Sequence, residues 1–441
     1  MKKRILPVLM LVIAALLFAG CTPLTVAEMY ALPKRSQEHS NLQSAIDMAM
    51  AGLSYSAPVS GDNQQTVQMA DLDGDGVDEY LVFAKGNTDK PMQILIFSQI
   101  GEDKIQIMSV IESNGSAFDR VEYVEVDHTP GCEIVVGRQV SDQLMGSLGV
   151  YSFRDGYANQ IMNARYSRFL THDIDQDDKA ELLVFQQGES ESGRGIAVMY
   201  NFRGGTMERS VEMPLSRQVQ DIRRMTPTRL QDGVPAVFVS SAADNNTIVT
   251  DVLCVKRGKL INLTEICPEI NSVQTLRNYY VFAEDVDYDG ALELPQLISV
   301  KPTSQDYNIE RQYLINWYSL TSAGAVAAKM ATFHNYAGGW FMKLDETLAP
   351  RVTVEQIGNT YIFHLWNEDF TEFEPLFTVY SMTGSDRKTQ ANADNRFPLH
   401  VLDDVVYAAR LEPACAEHGI TRSAMIDSFM LIHQDWRTGA T

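Results

Sequence analysis

Three segments of the chain, "DLDGDGVDEYLVF" from Asp71, "DIDQDDKAELLVF" from Asp173 and "DVDYDGALELPQL" from Asp285, repeat one acidic pattern. Each sets Asp at positions one, three and five of a nine-residue loop and Glu at position nine. Carboxylates at alternate positions of a tight loop converge on one point. A hard cation that takes roughly six to eight oxygens at flexible distance, calcium rather than magnesium, suits such a set. The expected ligands are Asp71, Asp73, Asp75, the carbonyl of Val77 and Glu79 in the first loop. The second such loop offers Asp173, Asp175, Asp177, the carbonyl of Lys179 and Glu181, and the third Asp285, Asp287, Asp289, the carbonyl of Ala291 and Glu293. Gly76 and Gly290 give position six its freedom to turn, and Asp178 stands there in the middle copy, at a conformational cost that Asp bears better than most L-residues. An EF-hand is excluded, because position twelve is Val82, Val184 or Gln296 where that motif needs a bidentate Glu followed by a helix.

Such loops need a scaffold that repeats. Asp71 and Asp173 lie 102 residues apart, and Asp173 and Asp285 lie 112 apart, each close to two beats of a shorter period. The missing beats are visible. "VEYVEVDHTPGCEIVVG" sets Glu125, Asp127 and Glu133 at positions one, three and nine, with Thr129 and Pro130 in the middle, and "PTRLQDGVPAVFV" keeps only Asp232 and Gly233. After each loop come short runs rich in β-branched and aromatic residues, such as "MQILIFSQI", "SLGVYSF" and "TIVTDVLCV", separated by turn signals such as "RDG", "RGG" and "RGK". Three to four strands per unit is the content of a propeller blade. The expected fold is therefore mainly β: a β-propeller with five recognisable blades over 54–336, followed by a small α+β domain over 337–441 that ends in a helix from Thr421 to about Trp436. With these residues in view, the loops resemble the FG-GAP and VCBS calcium-binding repeats of integrin-type propellers. That resemblance implies calcium on the rim of the propeller, away from a ligand-binding face.

The first residues, "MKKRILPVLMLVIAALLFAGCTP", combine a basic start with an apolar run too short to span a bilayer. The ending "LLFAGC" resembles a bacterial lipobox, which implies a signal peptide over 1–20, lipidation at Cys21, and a tether with a short helix over 21–53. Together with the lead-in from Tyr30 to Asn63 and the first acidic loop, it resembles uncharacterised lipoproteins of clostridial-type Gram-positive bacteria. The expected location is extracytoplasmic, lipid-anchored to the plasma membrane. A formal charge of −21 excludes a nucleic-acid partner and favours cations. Of the remaining cysteines only Cys254 and Cys267 are close in sequence. A turn at Arg257-Gly258 sets Cys254 opposite Ile261, out of register with Cys267, so no disulfide is expected there.

Catalytic signatures are sparse. The chain has no HExxH, GxSxG or Walker motif, "SDRK" at Ser385 fits SxxK without its partner motifs, and His364 reads as a core or edge residue. Trp340, Trp366 and Trp436 read as core before they read as sugar platforms. The expected function is a non-enzymatic binding or scaffolding module for a surface protein or glycan. The alternative is a polysaccharide-active enzyme or its accessory subunit.

Overall fold

The computed structural model describes residues 37–432 apart from 102–103, 141–144, 190–192, 245–246, 268–274, 278–280, 304–311 and 325. The expected signal peptide, Cys21 and Trp436 lie outside the described residues. No helix among the described residues is long and apolar enough to cross a membrane.

The fold is mainly β and of the propeller type. Each of the five expected units forms one antiparallel sheet, and the sheets follow one another along the chain. The second, third and fourth blades are four-stranded meanders whose strands lie in sequence order. Their second strands, Glu133–Gln139, Glu181–Gln187 and Pro235–Ala243, correspond to Glu79–Lys85 in the first blade and carry unbroken apolar runs. The reason is that both faces of these strands are covered, so alternation gives no polar side. Leu81 and Phe83 pack on the second blade, while Val82 points the other way. Ile134 and Val136 face the first blade, and Val135 faces the third. The same alternation continues with Leu182 and Leu183, then with Ala236 and Val237.

The stack has two ends. At the first, the helix Gln37–Ala49 lays Leu42 and Ile46 over Val82, Leu95 and Phe97. At the other, a sixth sheet built from residues 352–411 packs on the fifth through Phe333, Trp340, Phe363 and Phe377. Its outer face, around Val406 and Ala408, is covered by Ala391 just after the short helix Arg387–Gln390. Among the described residues no core cluster joins the first sheet to the sixth.

The turn signals act as expected. Arg154 pairs with Tyr157, Arg203 with Thr206 and Lys256 with Lys259 across two-residue turns whose central residues all have positive φ. Cys254 lies opposite Ile261, and Cys132, Cys254, Cys267 and Cys415 are all free thiols.

The C-terminal region differs from expectation at its boundary. The hairpin between Val326–Asn335 and Trp340–Leu344 spans residue 336, and Asn335 pairs with Trp340. The "NYAGG" stretch is therefore a turn, held by the Gly338 N–H donating to Asn335 Oδ1 at 2.9 Å, not a linker. The closing helix is also shorter, Arg422–Ser428 with Thr421 as its N-cap, because Phe429–Leu431 leaves it to pair with Trp340–Leu344 as a further strand of the fifth sheet. The fifth blade and the C-terminal residues thus share one sheet and one core.

Candidate metal loops

In every blade the loop of interest runs directly into a strand. Loop one joins Val67–Ala70 to Glu79–Lys85, loop two joins Ala117–Val124 to Glu133–Gln139, and loop three joins Arg168–His172 to Glu181–Gln187. The loop of the fourth blade joins Ile222–Arg229 to Pro235–Ala243, and loop five precedes Leu294–Ser299.

One device recurs in four of them. The Glu at position nine is buried, with no more than 3% of its surface exposed for Glu79, Glu133, Glu181 and Glu293. Its Oε2 accepts the backbone N–H of position two: Leu72 at 3.0 Å, Val126 at 2.9 Å, Ile174 at 3.1 Å and Val286 at 3.0 Å. This bond closes the loop on itself, while Oε1 accepts from Ser98 Oγ at 3.1 Å in Glu79 and from Arg154 Nη2 at 3.2 Å in Glu133, and has no partner in Glu293. The Asp residues fold the rest. Asp71 accepts from the N–H groups of Gly74 and Gly76, Asp173 from those of Gln176 and Asp177, and Asp285 from those of Asp289 and Gly290. Asp75, Asp177 and Asp289 each accept through Oδ1 from the N–H two residues on, at Val77, Lys179 and Ala291.

These bonds hold carboxylate oxygens together. Asp71, Asp73 and Glu79 have oxygens within 4.8 Å of one another, as do Asp173, Asp175 and Glu181, and Asp285, Asp287 and Asp289. Of the expected ligands, Asp75, Asp177 and Glu293 fall outside these groups of three.

Position six is left-handed in loops one, three and five, at φ +86° for Gly76, +67° for Asp178 and +91° for Gly290, so Asp178 accepts the strain that its place in the loop demands. Position four is left-handed too, a feature the sequence pattern does not announce: His128, Gln176 and Tyr288 adopt φ between 61° and 66°. Only loop one has a glycine there. A Cβ on Gly74 would come within 2.4 Å of Pro130, and one on Gly131 within 2.4 Å of the Leu72 carbonyl oxygen, so loops one and two meet backbone to backbone. Gly131→Ala combines that clash with a φ of +102°. It should cost about 2 to 3 kcal/mol, read as a lower urea midpoint of unfolding.

The contacts continue from loop to loop. The Ala180 N–H donates to the Glu125 carbonyl at 3.0 Å, Lys179 Nζ pairs with Glu125, and Gln176 Nε2 donates to the Gly233 carbonyl at 3.4 Å. Gln231 Nε2 then donates to Asp289 Oδ2 at 2.9 Å. The five loops form one acidic row along a single edge of the stack. In the fourth blade Asp232 has turned to structural work, accepting from the N–H and Oγ of Ser322.

Two basic side chains that the sequence pattern did not single out reach into this row. Arg154 Nη2 donates to Asp127 Oδ1 and Glu133 Oε1 at 3.0 and 3.2 Å. Lys329 Nζ donates to Asp287 Oδ2 and Asp289 Oδ2 at 2.9 and 3.0 Å. Electrostatics follow from these surroundings. Burial first, then the neighbouring Asp charges, push Glu181 and Glu293 up to about 7, and burial raises Glu79 and Glu133 as well. Hydrogen bonds from the Ala291 N–H, Gln231 and Lys329 hold Asp289 down at about 2.

The donor chemistry fits a hard divalent cation. The side-chain donors are all carboxylate oxygens, and Glu293 Oε1 is a buried one with no hydrogen-bond partner.

No family model and no curated protein matches the chain. Solved structures align over much of its length at low identity. A protein from Lactobacillus plantarum is 10% identical, with 72% of this chain and 85% of that chain covered and a TM-score of 0.26. The exotype rhamnogalacturonan lyase YesX is 12% identical over 75% and 67% of the two chains, at a TM-score of 0.29. A Bacillus licheniformis rhamnogalacturonan lyase is 12% identical over 73% and 72%, also at 0.29.

Proposed function

We propose that the chain is a calcium-binding propeller protein, tethered outside the plasma membrane through lipid on Cys21, that serves as a non-enzymatic binding or scaffolding module for a surface protein or glycan. The observation that carries the calcium assignment is the recurrence of one loop geometry in three blades, with Glu293 Oε1 buried and unpartnered in the third of them. Asp71, Asp73, Asp75 and Glu79 would hold the ion in the first blade, and the corresponding acids, with the position-seven carbonyls, would hold it in the third and fifth. Bound calcium supplies the positive charge that lets these carboxylates stay ionised side by side. The protein's share of the work is to pre-shape the loops through backbone N–H bonds and to keep the ninth-position Glu dry.

The soluble fragment starting at Thr22, equilibrated with millimolar calcium and desalted, should carry calcium by elemental analysis. Equilibration with magnesium should leave little, because magnesium demands a tighter octahedral shell. A metal-free fragment after calcium equilibration would overturn the assignment. For the anchor, Cys21→Ser should abolish incorporation of a fatty-acid analogue, since acyl transfer needs the thiol, and equal label on both forms would contradict it. A binding array of glycans and surface proteins, run with calcium and with chelator, identifies the ligand class.

One observation favours the polysaccharide-active alternative. A cleft of about 470 Å³ beside the sixth sheet is lined by Glu368, Glu372, Glu374 and Glu417 with the exposed Phe373, a mixture of acids and an aromatic face that suits a sugar chain. Release of new reducing ends from acidic or neutral polysaccharides, lost in Glu374→Gln or Glu417→Gln, would establish that reading.

A further inference from the structure

We propose that Lys329 is a resident cation of loop five which a metal ion must displace, and that Arg154 fills the same part permanently in loop two, which therefore takes no metal. The inference rests on the calcium reading of the loops and concerns what sets the affinity of each.

In loop five, Oδ1 of Asp287 and Oδ1 of Asp289 are occupied by the N–H groups of Asp289 and Ala291. Their remaining oxygens, the ones left for an ion, are the two that Lys329 Nζ holds at 2.9 and 3.0 Å, Asp289 Oδ2 accepting from the neutral Gln231 Nε2 as well. Lys329 lies at the irregular step in the pairing of Tyr313–Leu320 with Val326–Asn335, where it is the unpaired residue between Ala328 and Met330. It leaves Glu293 Oε1 untouched. The ammonium thus neutralises the outer half of the loop and leaves the inner carboxylate for something else, which a divalent ion would satisfy by taking both.

Loop two shows the completed substitution. Arg154 Nη2 reaches both oxygens of Asp127, at 3.0 and 3.2 Å, and Glu133 Oε1 at 3.2 Å, while Ser152 donates to Asp127 Oδ2 at 3.3 Å. Its other nitrogen, Nη1, donates to the Leu72 carbonyl of loop one at 3.0 Å. In loop two a fixed positive charge thus already sits on Asp127 and Glu133, where Asp71 and Glu79 of loop one meet only neutral N–H and hydroxyl donors, and a planar guanidinium that donates in several directions serves such a set better than a point charge does.

The register explains why loop one differs. Continuing the strand pairing, the ninth-position Glu faces Ser98, Ser152, Asn201 and Ser319 in blades one, two, three and five. Two residues further on stand Ile100, Arg154, Arg203 and Thr321. Loop one has no basic residue at this place, loop two has the arginine that enters, and loop three has Arg203, exposed and with no hydrogen bond to the loop carboxylates among the described residues. Loop five has Thr321 there and takes its cation from the neighbouring strand instead.

Calcium titration calorimetry on the Thr22 fragment, with Lys329→Met and Arg154→Lys beside the wild type, tests this. The methionine keeps the aliphatic stem and removes the ammonium. Lys329→Met should tighten one site by on the order of tenfold, the worth of two partly exposed ion pairs, and leave the others unchanged. Adding Asp287→Ala should abolish that gain. The wild type should bind three ions and Arg154→Lys no fewer. Uptake by the wild type with no change in Lys329→Met, or a fourth ion in the wild type, overturns this proposal alone. No uptake by any form overturns the calcium reading itself.

Discussion

Removing calcium from the Thr22 fragment should lower its melting temperature, and the gap between calcium-loaded and chelated protein should widen as pH rises from about 5 to about 8. At ~10⁻⁴ M affinity and ~10⁻³ M calcium, each occupied loop gains about 1.4 kcal/mol by mass action, or roughly 4 kcal/mol for three. Against a typical margin of about 5 to 15 kcal/mol that is a large share. The pH dependence follows from Glu181 and Glu293, whose folded-state pKa near 7 lies above their ordinary value of 4.5. Between those two values the metal-free folded chain holds protons that the unfolded chain has released. Its stability is therefore highest at the acid end of this window and falls as pH rises through 7. Calcium competes with the same protons, so its contribution grows over the same range. Magnesium should restore little. A chelated protein whose melting curve matches the loaded one at pH 8 would contradict this account.

Trp340→Ala should be the most damaging single core change, at about 3 to 5 kcal/mol. The Trp340 side chain is fully buried, its ring 5.7 Å from Phe333, 5.4 Å from Tyr361 and 5.4 Å from Phe429. It therefore joins the fifth sheet, the sixth sheet and the C-terminal strand in one core. Its loss should loosen all three together, and limited proteolysis of the variant should open residues 326–432 as a unit. In the wild type the turn around Gly338 should resist cleavage, because Asn335 and Trp340 pair across it and Tyr407 Oη donates to the Gly338 carbonyl at 2.5 Å. Two stable wild-type fragments divided near residue 336 would mean that the regions are independent after all.

The parts legible in the sequence are those where chemistry dictates both residue type and spacing. Convergent carboxylates require Asp at alternate positions, so the loops and their beat stand out even where loop two has Thr129 in place of the third Asp. Strands buried on both faces read as unbroken apolar runs, and the Arg257-Gly258 turn fixes a register that sets Cys254 against Ile261. What escaped depends on contacts between distant segments. Arg154 and Lys329 look like any basic residue on a strand until the sheet folds them back onto acids far along the chain. The glycines of "NYAGGW" suit a linker as well as a turn, and only the pairing of Trp340–Leu344 with both Val326–Asn335 and Phe429–Leu431 decides between them. The same pairing ends the last helix at Ser428, where an amphipathic pattern alone would run on.

The most direct test of the calcium assignment is the number of ions the chelated Thr22 fragment takes up in a calorimetric titration at neutral pH. The loops of the first, third and fifth blades predict three per chain, falling by one in Asp73→Ala and by one in Asp287→Ala. No heat of calcium binding, or uptake that neither substitution changes, would show that the acidic row is only a solvated edge of the fold.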